Sequence, residues 1–333
     1  MKATQKTLVF FLIIAMLAKV GCSLVIDHID LSDFEPLNSH IAMPFPLYSE
    51  YIADYVNDSE EEYVECFLPP LVYTTIEDLQ YLLGSWSDNI AVYFECLTTG
   101  FVYSKNETRR IFGASVSKAM LALQLYKMAD AGEIDLDQYI RYESRHSSGG
   151  ISNRYSVGTY FSIRRVIALN LYRSDNTATL MLRELLGGGN AEQGFRRYRD
   201  FVADMGGDPS LVRSRIMDSF ATAQDFAIFA RAINEYIEGE NLNSEEFRGH
   251  LINNYHHFLF PDTVFPVASK TGWSNGVLND MTIVYLQERP FILIIMKTGR
   301  SNRITERDRA NFALIADAFV NFQRSRDMNK TYY

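Results

Sequence analysis

Three short groups of residues in this chain have types and spacings that can do chemistry together. Ser115 and Lys118 stand three residues apart, Ser174-Asp175-Asn176 follow, and Lys270-Thr271-Gly272 complete the set. On a helix, residues three apart share a face, so the Ser115 hydroxyl and the Lys118 amine can touch. A serine hydroxyl is a weak nucleophile until a base takes its proton. A buried lysine can be that base, because desolvation disfavours its ammonium form. A helix start adds backbone N–H groups and positive potential where an oxyanion would form. Alone, a Ser-x-x-Lys pair reads equally well as a helix cap beside a solvated lysine, and Ser-Asp-Asn as a plain capping turn.

The elements that must position these groups are legible in outline. Residues 112–132 read as a helix that is apolar around most of its circumference, with Met120, Leu121, Leu123, Leu125 and Met128, and with Gly132 placed to end it. Residues 75–86 read as a helix capped by Thr75 and Asp78. Residues 89–95 and 101–103 read as a hairpin. Residues 162–172 and 177–186 read as two helices, with Ser174-Asp175-Asn176 as the turn between them and Gly187-Gly188-Gly189 as a stop. Helices follow at 195–205 and 222–237, then strands at 265–271, 281–287 and 291–298, then a last helix at 302–322. The polar stretch 135–158 reads as a loop, with His146 at the surface. Two strands early, three late and helices between fit an antiparallel sheet with helices on both faces and a helical lobe inserted in the middle.

The three motifs, in this order, resemble those of class A β-lactamases and penicillin-binding proteins. The flanks IAVYFECLTTG, ADAGEIDLD and SDNTA agree, and the resemblance spans roughly residues 75–324. It implies a DD-peptidase/β-lactamase-like fold of mixed α/β class: a five-stranded antiparallel sheet flanked by helices, plus an all-helical lobe. It implies that Ser115 is the nucleophile, Lys118 its base, and Ser174 a proton relay helped by the Lys270 ammonium. Asn176, Thr271, Gly272 and Trp273 would contact substrate, with the backbone N–H groups of Ser115 and Trp273 as oxyanion donors. Asp175 would be structural. Lys297-Thr298-Gly299 repeats the third motif, but only a helix follows it. Lys270 has two strands and the helix after it, so Lys270 is the one assigned to the site. No metal or organic cofactor is implied.

The departures matter as much. Class A β-lactamases resemble one another in a Glu-x-x-Leu-Asn segment whose glutamate activates the deacylating water. The corresponding stretch here, GGDPSLVRSRIMDSFATAQD, is shorter and holds no glutamate, only Asp208 and Asp218 before the next helix. Loss of a general base typically costs about 10²- to 10⁴-fold, so acylation without fast deacylation is expected. Where the family often places an arginine for the substrate carboxylate, Asn279 and Asp280 occupy the neighbourhood, with Arg300 and Arg307 as outlying alternatives.

Composition bounds the rest. With 333 residues, 47% hydrophobic and 22% charged, a substantial core can form. A net charge of −9 argues against a nucleic-acid partner. Residues 1–23 carry three lysines, no acid and an apolar run over 8–18, which reads as an export signal too short to span a membrane. Cys22 after Gly21 fits a lipoprotein site imperfectly, because Lys19 stands where an aliphatic residue is usual. Residues 24–70 hold 11 acids and no Lys or Arg, which leaves −1 for residues 71–333; they read as an acidic extension ahead of the hydrolase domain. Cys66 and Cys96 can pair or stay apart. His256-His257 is not expected to bind metal. The expectation is an extracytoplasmic monomer, secreted or tethered through its N-terminus, acting on a small β-lactam or a cell-wall peptide. Three activities fit: a β-lactamase-like serine hydrolase, a D-Ala-D-Ala peptidase, or a non-hydrolytic surface sensor that retains the pocket.

Overall fold

A computed structural model describes residues 72–84, 89–209, 220–252, 259–260, 265–274, 276–286, 289–299 and 305–328, all within one unit, Leu71–Tyr333. The stretch expected to be an export signal, the acidic extension, Cys22, Cys66, Asp218, His256, His257 and Arg300 lie outside the described residues.

The first helix, α1 (Ile76–Gly84), is opened by a reciprocal pair. Asp78 N–H donates to Thr75 Oγ1 at 3.2 Å, and Thr75 N–H donates to Asp78 Oδ2 at 2.8 Å. The hairpin β1 (Ile90–Cys96) and β2 (Val102–Lys105) follows, then a two-residue strand β3 (Ile111–Phe112) and a 3₁₀ turn, Ala114–Val116. Helix α2 (Ser117–Asp130) starts after that turn, so Ser115 stands ahead of the α-helix rather than within it. Residues Ser117 through Tyr126 are all buried, as an apolar circumference requires. The helix closes with Gly132 at φ +73, Glu133 N–H on Met128 O at 2.9 Å and Gly132 N–H on Ala129 O at 2.9 Å, a glycine-terminated cap.

The stretch expected to be a plain loop is built up further. It holds β4 (Tyr139–Arg141), paired antiparallel with β5 (Tyr160–Ser162), and 3₁₀ turns at Ser144–His146 and Gly150–Asn153. His146 is not at the surface: it is 5% exposed, its Nδ1 accepts the Glu143 N–H at 3.1 Å, and its Nε2 lies 3.0 Å from Glu184 Oε2. A three-residue strand in a Ser/Gly-rich context carries too little period to be read locally.

Helices α3 (Ile163–Tyr172), α4 (Asn176–Leu186), α5 (Ala191–Asp204) and α6 (Ala223–Glu238) complete most of the helical lobe, the last preceded by a short β6 (Phe220–Ala221) that pairs with β3. Their caps are Ser162, Asp175, Asn190 and Thr222. Helix α7 (Ser244–Ile252) has no counterpart in the sequence reading; among its nine residues Ser244 and His250 are buried beside Phe247 and Leu251, which blurs the apolar stripe.

Strands β7 (Val267–Ser274), β8 (Val277–Val284) and β9 (Phe291–Thr298) join the first hairpin in one antiparallel sheet, order β2-β1-β9-β8-β7. Successive strand residues face opposite sides. So Ile292, Ile294 and Met296 enter the core shared with the helical lobe, while Phe291, Leu293 and Ile295 enter the core under α1 and the last helix, α8 (Glu306–Met328). In that second core Phe319 stacks on Phe94 with ring centroids 5.3 Å apart, and Phe94 also meets Phe291 and Phe322. Phe319→Ala should lower unfolding free energy by about 3–5 kcal/mol, the cost of emptying a filled aromatic site, read as a shift of the denaturant midpoint at constant slope.

Candidate active site

Helix α2 aims its first turn at the junction between α3 and α4. There the Lys118 amine, 2% exposed, is surrounded by oxygen. It donates to Ser174 O at 2.5 Å, to Asn176 Oδ1 at 2.7 Å and to Ser174 Oγ at 3.1 Å. A second amine approaches the same hydroxyl from the sheet. Lys270, on β7 and fully buried, donates to Ser174 Oγ at 3.3 Å and to Thr271 O at 3.0 Å. Ser174 thus joins helical lobe and sheet, and it does so with a left-handed backbone, φ +51, uncommon for a residue other than glycine. Burial pushes the Lys270 ammonium down to about 7, against the opposing pull of the Asp280 carboxylate.

Ser115 is half-buried in the 3₁₀ turn, directly after Ala114, whose φ is +50. That turn is held from both sides. β3 pairs with β6, Ile111 opposite Ala221 and Phe112 opposite Phe220. Strand β7 lies so close that a Cβ on Gly272 would fall 2.4 Å from Gly113 O and 2.9 Å from Ser115 N. Only glycine permits that approach. Thr271 is buried at 2% exposed, whereas Trp273 stands out at 56%. Asn176 opens α4 and spends Oδ1 on Lys118, which leaves Nδ2 as its donor.

Asp175 caps α4. Its carboxylate accepts N–H groups from Ala178 at 2.9 Å and Ile151 at 2.7 Å, and it is pressed against Gly150, which has no room for a side chain. Burial raises its pKa, opposed by those N–H bonds. Thr177 Oγ1 donates to Gly149 O at 2.6 Å and accepts from Ser148 N at 3.0 Å, so residues 148–151 are tied to the start of α4. Thr177, Gly149 and Gly150 were not singled out in the sequence; the run Ser147-Ser148-Gly149-Gly150 is the signal for a backbone that must pass close to something.

Lys297 takes no part in this cluster. It is at the edge of β9 beside Ile90 of β1, ion-paired with Asp308 near the start of α8. Asn279 and Asp280 both point into the protein, 0% and 1% exposed. Asn279 Nδ2 donates to Phe112 O at 2.8 Å, and Asp280 accepts from Leu259 N at 3.1 Å and Thr282 Oγ1 at 3.1 Å. Arg307 is exposed on α8. Asp208 faces Arg110 at 3.8 Å, and Asp225 is occupied as the cap partner of Thr222. Both carboxylates line a cavity shared with Gly113, Ser117 and Tyr198. Among the described residues no group of three or more His, Cys, Asp or Glu is placed to hold a metal ion, and no helix is long and apolar enough to cross a membrane.

The fold is similar to solved structures. A β-lactamase from Chitinophaga pinensis shares 18% identity at a TM-score of 0.61, covering 73% of this chain and 97% of that one. A β-lactamase from Sphaerobacter thermophilus shares 19% at 0.62, covering 74% and 97%. A mutant of PBP-A, solved as an acyl-enzyme complex with penicillin G, shares 18% at 0.63, covering 79% and 100%. At these identities the likeness is one of fold. No curated protein sequence matches the chain. The sequence model of the beta-lactamase enzyme family matches residues 72–323, three quarters of the chain and every one of the three motifs. The chain belongs to the beta-lactamase enzyme family and is a β-lactamase-like serine hydrolase.

Proposed function

We propose that Ser115 forms an acyl-enzyme with β-lactams or related acyl-amides, and that the ester formed is released slowly. The observation that carries this reading is the convergence of two buried amines, Lys118 and Lys270, on one hydroxyl, Ser174 Oγ. As the neutral amine, with two N–H donors kept on the Ser174–Asn176 segment and its lone pair turned to Ser115, Lys118 takes the Ser115 proton as Oγ bonds to the substrate carbonyl carbon. The C–N bond then breaks, and the proton reaches the departing nitrogen through Ser174, polarised by Lys270. The oxyanion is held by the N–H groups of Ser115 and Trp273, each donor contributing about 3 kcal/mol. Asn176 Nδ2 is left to hold the amide carbonyl of the acyl arm. The substrate lies along the strand edge at Gly272, with Thr271 buried beside it and Trp273 supplying an exposed aromatic face.

Slow release rests on the missing glutamate and on the cap role of Asp225; Asp208 stands 3.8 Å from Arg110, and Asp218, the other carboxylate of that stretch, lies outside the described residues. The same set suits a D-Ala-D-Ala peptidase, for which the likeness to PBP-A is the favouring observation. Substrate entry from outside the cytoplasm, an N-terminal tether and a monomeric state belong to this proposal.

Intact-mass measurement of the protein with penicillin G over time tests it, beside Ser115→Ala. A persistent adduct of the drug's mass on the wild type, absent from Ser115→Ala, is the expected result. Drug consumption without an adduct would mean that another base has replaced the glutamate. Neither adduct nor drug loss would remove penicillins from the substrate class.

The charge on Lys270 gives a second test. The ammonium form is present below its pKa of about 7 and lost above it, so the acylation rate should fall as pH rises through about 7. In Lys270→Arg the charge persists to much higher pH; the rate should be lower overall, with that limb gone. A wild-type profile that is flat between about pH 6 and 9 would exclude a rate-controlling titration of Lys270 near 7.

A further inference from the structure

The polar pair Asn279-Asp280 interrupts a strand, VLNDMTIV, that is apolar apart from these two and Thr282 and is buried at every position. Polar groups at the centre of such a strand are costly unless they are engaged. Asp280 is engaged, through Leu259 and Thr282. Asn279 is engaged at one end only. Its Nδ2 donates to Phe112 O, while its Oδ1 is buried without a hydrogen-bond partner among the described residues. An apolar residue here would strand no acceptor of its own. That an asparagine stands here directs attention to the one bond it makes.

The bond falls on the strand that feeds the serine turn. Asn279 is directly opposite Gly272 in the β7–β8 ladder, and opposite residues share a face of the sheet. On that face Gly272 has no side chain, and the serine turn fills the space, within contact distance of Gly113 O and Ser115 N. Adjacent strand positions therefore hold consecutive parts of one segment: Asn279 holds the Phe112 carbonyl, and Gly272 abuts Gly113 and Ser115. Between these points lies Ala114, left-handed at φ +50. A strained residue persists only where its surroundings over-determine it.

We propose that Asn279 is a positioning residue: its side-chain N–H anchors Phe112, fixes the left-handed Ala114, and so sets where the Ser115 hydroxyl and N–H point. The inference rests on the reading of Ser115 as nucleophile. Asn279 touches no substrate. It acts through the backbone, and it stands where the family often uses an arginine to meet the substrate directly.

Asn279→Leu tests it, with Asn279→Ala as the variant that introduces no branched bulk. Penicillin acylation is resolved into the dissociation constant of the encounter complex and the acylation rate constant. The rate constant should fall about 10- to 100-fold, the scale of a misplaced reacting group. The dissociation constant should stay within about twofold, so that loss of rate separates from loss of affinity, whatever the thermal midpoint loses with the bond to Phe112 O. Hydrogen exchange of backbone amides across residues 112–117, measured without any drug, should accelerate in both variants. A wild-type acylation rate in Asn279→Leu would overturn the proposal. So would a parallel loss of rate, affinity and thermal midpoint, which marks a merely structural residue. If the wild type forms no adduct, the substrate reading fails by itself, and the exchange rates still decide: unchanged exchange over 112–117 overturns the anchor, and faster exchange sustains it.

Discussion

An amine buried away from water must find oxygen acceptors or give up its charge, and this protein buries two of them on one hydroxyl. Lys118 arrives from α2 and Lys270 from β7, and Ser174 lies between, at 3.1 Å and 3.3 Å. Satisfying Lys118 requires the turn before α4 to present Ser174 O, Ser174 Oγ and Asn176 Oδ1 together. That in turn requires Asp175 to cap α4 and to hold Ile151. The helical lobe and the sheet are thereby coupled through a small polar junction inside a large apolar core. Such a junction stabilises only when fully satisfied. It also brings two amines within hydrogen-bond reach of one hydroxyl.

Backbone strain is concentrated at the same place. Two of the three non-glycine residues with positive φ among the described residues, Ala114 and Ser174, adjoin or belong to the motifs. Each is fixed by contacts that come from elsewhere in the chain: Ala114 between the Asn279 bond and the Gly272 contact, Ser174 between two lysines. A rigid, slightly strained frame around a half-exposed Ser115 is the arrangement expected where donors must be aimed in advance of the reaction.

The departures from the family pattern also have a physical shape. The residues near the usual arginine position, Asn279 and Asp280, have turned inward and become part of the frame. Asp280 sits behind Lys270 and partly offsets the effect of burial on its charge. The anion-attracting capacity of the strand edge is correspondingly modest. Of the described carboxylates beside the serine turn, Asp225 is committed to a helix cap, and Asp208 stands 3.8 Å from the exposed Arg110.

The sequence by itself determined the fold class, the sheet with its early hairpin and three late strands, and most helices. It did so because periodicity, Ser/Thr/Asp caps and glycine stops are local signals that survive without the third dimension. The family resemblance carried the five-stranded count of the sheet and named Ser115, Lys118, Ser174 and Lys270 as one site. What only the tertiary structure decided has long-range causes. His146 is buried because Glu184 meets it from another helix. Strands β3 to β6 are too short to show a period, and exist because distant partners pair with them. Helix α7 hides its stripe behind a buried serine and histidine. The sequence could separate Lys270 from Lys297 only by counting the strands that follow; in space one reaches Ser174 and the other is paired with Asp308. The role of Asn279 is invisible in one dimension, since its partner, the Phe112 carbonyl, lies 167 residues away and carries no side-chain signature at all.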